Sequence, residues 1–201
     1  MFRSIFNPEN PLMITMAQIT DCIFLSLFWL LGCFPVVTAG ASFAALYDSV
    51  YRGFRKGDKH PWLRFLHTFR ANWKGGILPT VLFLGILWGL GKALVALWNA
   101  AVYGEISWML FSAGAIVGAL VLGVLSVLFP MLSRFDNSLG ALLKNTVLLA
   151  MAHMPRTLIL GIVNAVCVFA CIRFVFPLFF LPALAALIGT VILEPMFRPY
   201  L

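Results

Sequence analysis

Charge is what this sequence has least of. Asp, Glu, Lys and Arg make up 10% of the 201 residues, where an ordinary soluble domain carries about 25%. No charged residue falls in 22–47, 75–91, 106–133, 157–172 or 174–193, stretches of 26, 17, 28, 16 and 20 residues. A hydrocarbon core about 30 Å thick takes roughly 20 apolar residues of helix at about 1.5 Å each. Runs of this length exclude a water-soluble fold and a disordered chain. Their unbroken apolar character also excludes a membrane barrel, whose strands alternate. What remains is an all-α, polytopic membrane helical bundle, and 62% of its residues are hydrophobic.

Catalytic motifs are also lacking. The sequence has no His-Glu-x-x-His, no Gly-x-Ser-x-Gly and no phosphate-binding Gly-x-x-x-x-Gly-Lys-Ser/Thr. His60, His67 and His153 stand far apart, without carboxylates at ligand spacing. Cys22, Cys33, Cys167 and Cys171 lie within apolar runs and read as small hydrophobes, not as a disulfide framework or a metal site. No enzyme activity, cofactor or metal is therefore expected.

Basic residues outnumber acidic ones, fourteen to seven. Their placement points to a membrane and not to nucleic acid. Arg52, Arg55, Lys56, Lys59, Arg64, Arg70 and Lys74 fall between two apolar stretches, and Arg134, Lys144 and Arg156 between two more. Loops rich in Lys and Arg stay in the cytoplasm, so both segments are placed inside. The spacing predicts five transmembrane helices over 15–34, 77–98, 106–129, 157–176 and 178–193, with Pro35 and Pro130 closing the first and third. The N-terminus is then outside and the C-terminus inside.

Residues 36–54 are the ambiguous stretch. They read as a shorter helix at the inner membrane boundary, with Gly40 permitting the turn before it; a sixth span is the alternative. Pro61 opens an amphipathic helix, with Trp62, Phe65, Leu66, Phe69 and Trp73 on one face and Arg64, His67, Arg70 and Lys74 on another. A second inner helix over 139–153 has Asp136, Asn137 or Ser138 available as its cap. A single integral membrane domain covers 1–201, with a weak two-fold repeat between halves 15–103 and 105–198. Each half contains a span ending in Phe-Pro (Phe34-Pro35, Phe129-Pro130), a basic inner segment and a new span.

Two sets of residues stand out as candidate sites. Arg64, Phe65, Phe69, Arg70 and Lys74 form a basic amphipathic face suited to a partner subunit or to anionic lipid. Among intramembrane polar residues, Asp21 is placed to pair with Lys92 or Arg173, with interfacial snorkelling as the alternative. Small-residue faces at Gly85/Gly89, Gly114/Gly118 and Ala185/Gly189 are expected to pack helices.

The stretch Phe34-Pro35-Val36-Val37-Thr38-Ala39-Gly40-Ala41-Ser42, followed by Ala44-Ala45-Leu46-Tyr47, resembles the YesL-like family of bacterial integral membrane proteins. Phe65-x-x-x-Phe69-x-x-Asn72-Trp73-Lys74 is similar to a second signature of that family. Phe129-Pro130-x-x-Ser133-Arg134-Phe135, Leu143-Lys144-Asn145 and Pro155-Arg156 are similar to a third. The resemblance is to a family defined by a domain of unknown function and associated with carbohydrate uptake systems. It implies a multi-pass protein of the bacterial cell membrane that serves as a non-catalytic accessory or regulatory subunit beside the permease subunits of an ABC importer. An autonomous transporter or channel is the competing expectation, and it requires a water-filled cavity near Asn164, Ser112 or Thr80.

Overall fold

Proline and serine punctuate the chain where helices begin. Pro61, Pro155 and Pro182 sit in first turns, where a missing N–H costs nothing. Ser107 caps another helix, its hydroxyl accepting the Met109 N–H at 3.3 Å. The computed structural model describes residues 11–104, 106–135, 138–174 and 176–200. Helices α1 (Pro11–Cys33), α2 (Ala39–Val50), α3 (Pro61–Asn72) and α4 (Ile77–Val102) are followed by α5 (Trp108–Arg134), α6 (Leu139–Ala152), α7 (Met154–Arg173) and α8 (Leu181–Phe197). Asp136 and Asn137, offered as caps for α6, lie outside the described residues; Ser138 takes the capping position without a side-chain bond.

Among the described residues, four helices are long and apolar enough to cross a membrane: Thr15–Cys33, Ile77–Val102, Trp108–Arg134 and Met154–Arg173. The chain is a helical membrane bundle with four such spans, where five were expected. The helix expected as the fifth, α8, has 17 residues, about 25 Å of rise. It starts and ends later than the apolar run implies. Pro195 does not end it, and neither does Pro130 end α5, which runs on to Arg134. Each proline falls in the last turn or so, where neighbouring helices hold the chain in place: Met131, Met196 and Phe197 are all buried. The repeat is correspondingly unequal. Phe34-Pro35 follows the end of a helix and leads into α2, whereas Phe129-Pro130 lies inside α5.

The clearest gain over the sequence concerns α2. It is the shorter helix expected there and not a long span, and it lies at the centre of the packing, with every residue except Phe43 buried. α1, α3, α4, α5 and α8 all pack on it. Its sequence explains why. Ala39, Gly40, Ala41, Ser42, Ala44 and Ala45 give it a thin profile, so helices approach from every side. Gly40 is required for closeness and not for a turn. A methyl group there would run into Oγ1 of Thr80 and the ring of Phe129. The Gly40 N–H instead donates to Thr80 Oγ1 at 2.9 Å, satisfying an end-of-helix donor from α4. Phe43 joins an aromatic cluster with Phe129 (stacked, 5.3 Å), Trp29 (edge-on, 5.2 Å) and Phe83 (6.0 Å), which ties α1, α4 and α5 to α2.

Two further ties complete the bundle. Ser26 of α1 accepts the Ala183 N–H of α8 at 3.2 Å. The most extensive helix pair, α5 with α7, closes through Gly123 and Gly161. A side chain at Gly123 would meet the Thr157 carbonyl, and one at Gly161 the Ala119 carbonyl. Of the small-residue faces expected from sequence, Gly114 and Gly118 receive Leu97 and Leu94 of α4, while Gly85 and Gly89 face open space.

Gly161→Val is therefore expected to destabilise the bundle by about 1–3 kcal/mol or more through overpacking, read as a lowered melting temperature in detergent. Gly85→Ala and Gly89→Ala are expected to leave it unchanged or slightly raised, because alanine favours helix at no steric cost.

Candidate functional site

Tyr47, Asp48 and the π-helical turn Tyr51–Arg55 that continues α2 carry two buried ionic centres. The first is built on Asp48, whose side chain is 1% exposed. Arg52, one turn on, donates from Nε to Oδ1 at 2.9 Å. Arg64 of α3 donates from Nε to Oδ2 at 2.6 Å, and the Thr68 hydroxyl donates to the same oxygen at 2.8 Å. Burial pushes the Asp48 carboxyl up, but the hydrogen bonds from Arg52, Arg64 and Thr68 and the charge of Arg64 outweigh it. Its pKa lies below the ordinary carboxylate value.

The second centre joins three helices that are remote in sequence. Arg134, at the end of α5, pairs through Nη2 with Glu194 Oε1 of α8. Tyr47 donates its hydroxyl to the same oxygen at 3.1 Å. Burial and the adjacent Glu194 carboxylate push the Tyr47 hydroxyl far above its usual range, so it remains a donor. The Arg134 guanidinium lies over the Tyr51 ring at 3.8 Å, and Lys56 approaches the same ring at 5.4 Å. Arg134 is 9% exposed, and its Nε is buried without a hydrogen-bond partner. Beside this centre opens a polar cleft of about 400 Å³ lined by Tyr51, Arg55, Glu194, Pro195 and Arg198.

The residues singled out from sequence fall differently. Phe65 is buried, stacked on Phe69 at 6.1 Å and against Phe28 of α1 at 5.9 Å, so the apolar face of α3 closes the protein's own core. Arg64 is committed to Asp48. The surface of α3 and the turn after it instead present Trp62, Leu63, Arg70, Trp73 and Lys74. Asp21 is not brought to either cation. Among the described residues the ion pairs are Asp48–Arg52, Asp48–Arg64 and Arg134–Glu194. Lys92 instead lies over the Trp88 ring at 5.4 Å, and Arg173 is exposed. Asp48 and Arg134 were missed as site residues. The available signal was an aspartate and two tyrosines among alanines, too polar for a span and too apolar for a loop. No group of three His, Cys, Asp or Glu side chains comes together among the described residues.

Residues 22–99 match the model of a family described as a protein of unknown function, DUF624. Neither a curated protein nor a solved structure matches the chain.

Asp48→Asn would leave two arginines facing a neutral amide. Because Arg52 and Arg64 are themselves partly exposed and able to rehydrate, the expected loss is about 3 kcal/mol, at the low end for a broken buried pair. A depressed carboxyl contributes stability above its unfolded pKa of about 4 and loses it as pH falls through the folded value. Melting temperatures taken from pH 7 down to pH 3 should therefore fall more steeply below about pH 4 for the wild type than for Asp48→Asn.

Proposed function

We propose that the protein is a non-catalytic membrane subunit that associates by helix packing with the permease subunits of a bacterial carbohydrate ABC importer. The observation that carries this reading is the state of α4. This 26-residue helix leaves Val81, Ile86, Trp88, Val95, Trp98 and Val102 exposed, and its buried residues are Pro79 and Thr80 at its start and Ala101 near its end. Between its far half and α5 and α7 lies an apolar cleft of about 380 Å³, lined by residues such as Leu94, Trp98, Phe111, Leu122 and Ala165. A long helix attached along one side, with Gly85 and Gly89 open on another, has the form of a surface made for other helices. The carbohydrate importer is the partner implied by the YesL-like resemblance. The same resemblance and the clustered basic residues support a bacterial cell-membrane location with Arg52 to Lys74 in the cytoplasm.

The competing transporter reading has weaker support. The side chains it needs to line a path are engaged within the protein. Asn164 donates to Ser126 Oγ at 3.0 Å and to the Leu160 carbonyl, Ser112 donates to the Met109 carbonyl, and Thr80 serves Gly40 and Gly76.

Purification of the tagged protein from its native membrane in mild detergent is expected to recover permease subunits in stoichiometric amount. Gly89→Leu, projecting into open space, is expected to keep the protein folded while reducing that recovery at least about tenfold, the equivalent of roughly 1.4 kcal/mol. Recovery of the protein alone, together with oligosaccharide uptake by it in liposomes, would contradict the reading.

A further inference from the structure

The polar cleft beside Glu194 is a basic site with an apolar approach, and neither feature is used by helix packing at α4. Arg55 and Arg198 line it, both exposed, and neither takes part in an ion pair among the described residues. Lys56 stands over Tyr51, the aromatic wall of the cleft. One carboxylate, Glu194, also lines it and would repel an anion if left bare. It is not bare: Arg134 and the Tyr47 hydroxyl both donate to its Oε1. Its charge is thus answered from behind, by an arginine that is itself buried and keeps one N–H without a partner. The balance presented to the cleft is cationic, supplied by guanidinium groups, whose forked donors suit a phosphate.

The approach to the cleft decides which phosphate. Leu184, Ile188, Val191 and Pro195 recur at spacings of four, three and four on α8, which places them on one face. All four are exposed. The stripe is about 16 Å long and ends at Pro195, a wall of the cleft. A soluble anion has no use for such a track, whereas an acyl chain does.

We propose that the cleft formed by Tyr51, Arg55, Glu194 and Arg198 holds the phosphate headgroup of an anionic phospholipid, with an acyl chain laid along Leu184, Ile188 and Val191 of α8. Arg55 and Arg198 contact the phosphate, and the Arg134–Glu194–Tyr47 centre sets the cleft wall. Because that wall joins α2, α5 and α8, a bound lipid braces the end of the bundle.

The test is native mass spectrometry of the delipidated protein in detergent, titrated with phosphatidylglycerol, with phosphatidylcholine or with inorganic phosphate. Phosphatidylglycerol is expected to be retained in preference to phosphatidylcholine, and its affinity to fall about fivefold for each arginine removed in Arg55→Gln, Arg198→Gln and the double variant. Lys144→Gln/Arg156→Gln, which removes two exposed cations elsewhere, is expected to bind as the wild type does. Equal retention of the two lipids by the wild type would overturn the proposal, whatever the variants' folding. Undiminished phosphatidylglycerol binding by the double variant would do the same. Displacement of phosphatidylglycerol by millimolar inorganic phosphate would assign the site to a free anion and overturn the lipid assignment.

Discussion

A carboxylate with almost no exposed surface must be answered inside the protein, and the answer given to Asp48 organises everything around it. Asp48 lies near the end of the central helix and draws Arg52 from the following turn and Arg64 with Thr68 from α3. An unpaired charge there would cost several kcal/mol. The pairing therefore holds α3 against α2 in one register, with Phe65 and Phe69 turned onto α1. Tyr47, next in sequence, and Tyr51, a turn on, meet the Arg134–Glu194 pair, which brings in the ends of α5 and α8. A helix made thin by alanine and glycine is in this way fastened by polar contacts at one end and by an aromatic cluster along its side. α4 and α7 are attached to this centre by less. That contrast separates a rigid hub from the surfaces left over for lipid or for another protein.

The division matters for function because the two kinds of surface are chemically distinct. The α4–α5 side is largely apolar and contains an apolar-lined cleft, the environment of helix–helix association. The far end of α8 combines guanidinium groups with an apolar track, the environment of a lipid headgroup and its chain. The reading as an interaction subunit rests on these two surfaces.

Much of the architecture was legible in the sequence. Charge-free runs located α1, α4, α5 and α7 to within a few residues, because burying charge in hydrocarbon is the strongest constraint on such a chain. What periodicity could not supply was the neighbour. Phe65 and Phe69 were correctly read as one apolar face, but a face that avoids water packs equally well on lipid, a partner or α1. The Asp48–Arg64 and Arg134–Glu194 pairs are separated by 16 and 60 residues, and nothing local marks such partners. Pro130 misled for a related reason. It would stop an isolated helix, but packing in the last turn carried α5 past it to Arg134. Gly40 was read as permitting a turn, although a run of small residues at helical length is also how a helix fits among five others.

The burial of α2 is the claim on which the rest depends, and cysteine accessibility tests it directly. Ser49 is fully buried, and Ser49→Cys changes its shape little; His67 is exposed on α3. In a background lacking the native cysteines, maleimide should label His67→Cys within minutes in mild detergent. Ser49→Cys should stay unlabelled until the protein is denatured. Labelling of the two positions at similar rates in the folded protein would show α2 to be exposed and contradict the account.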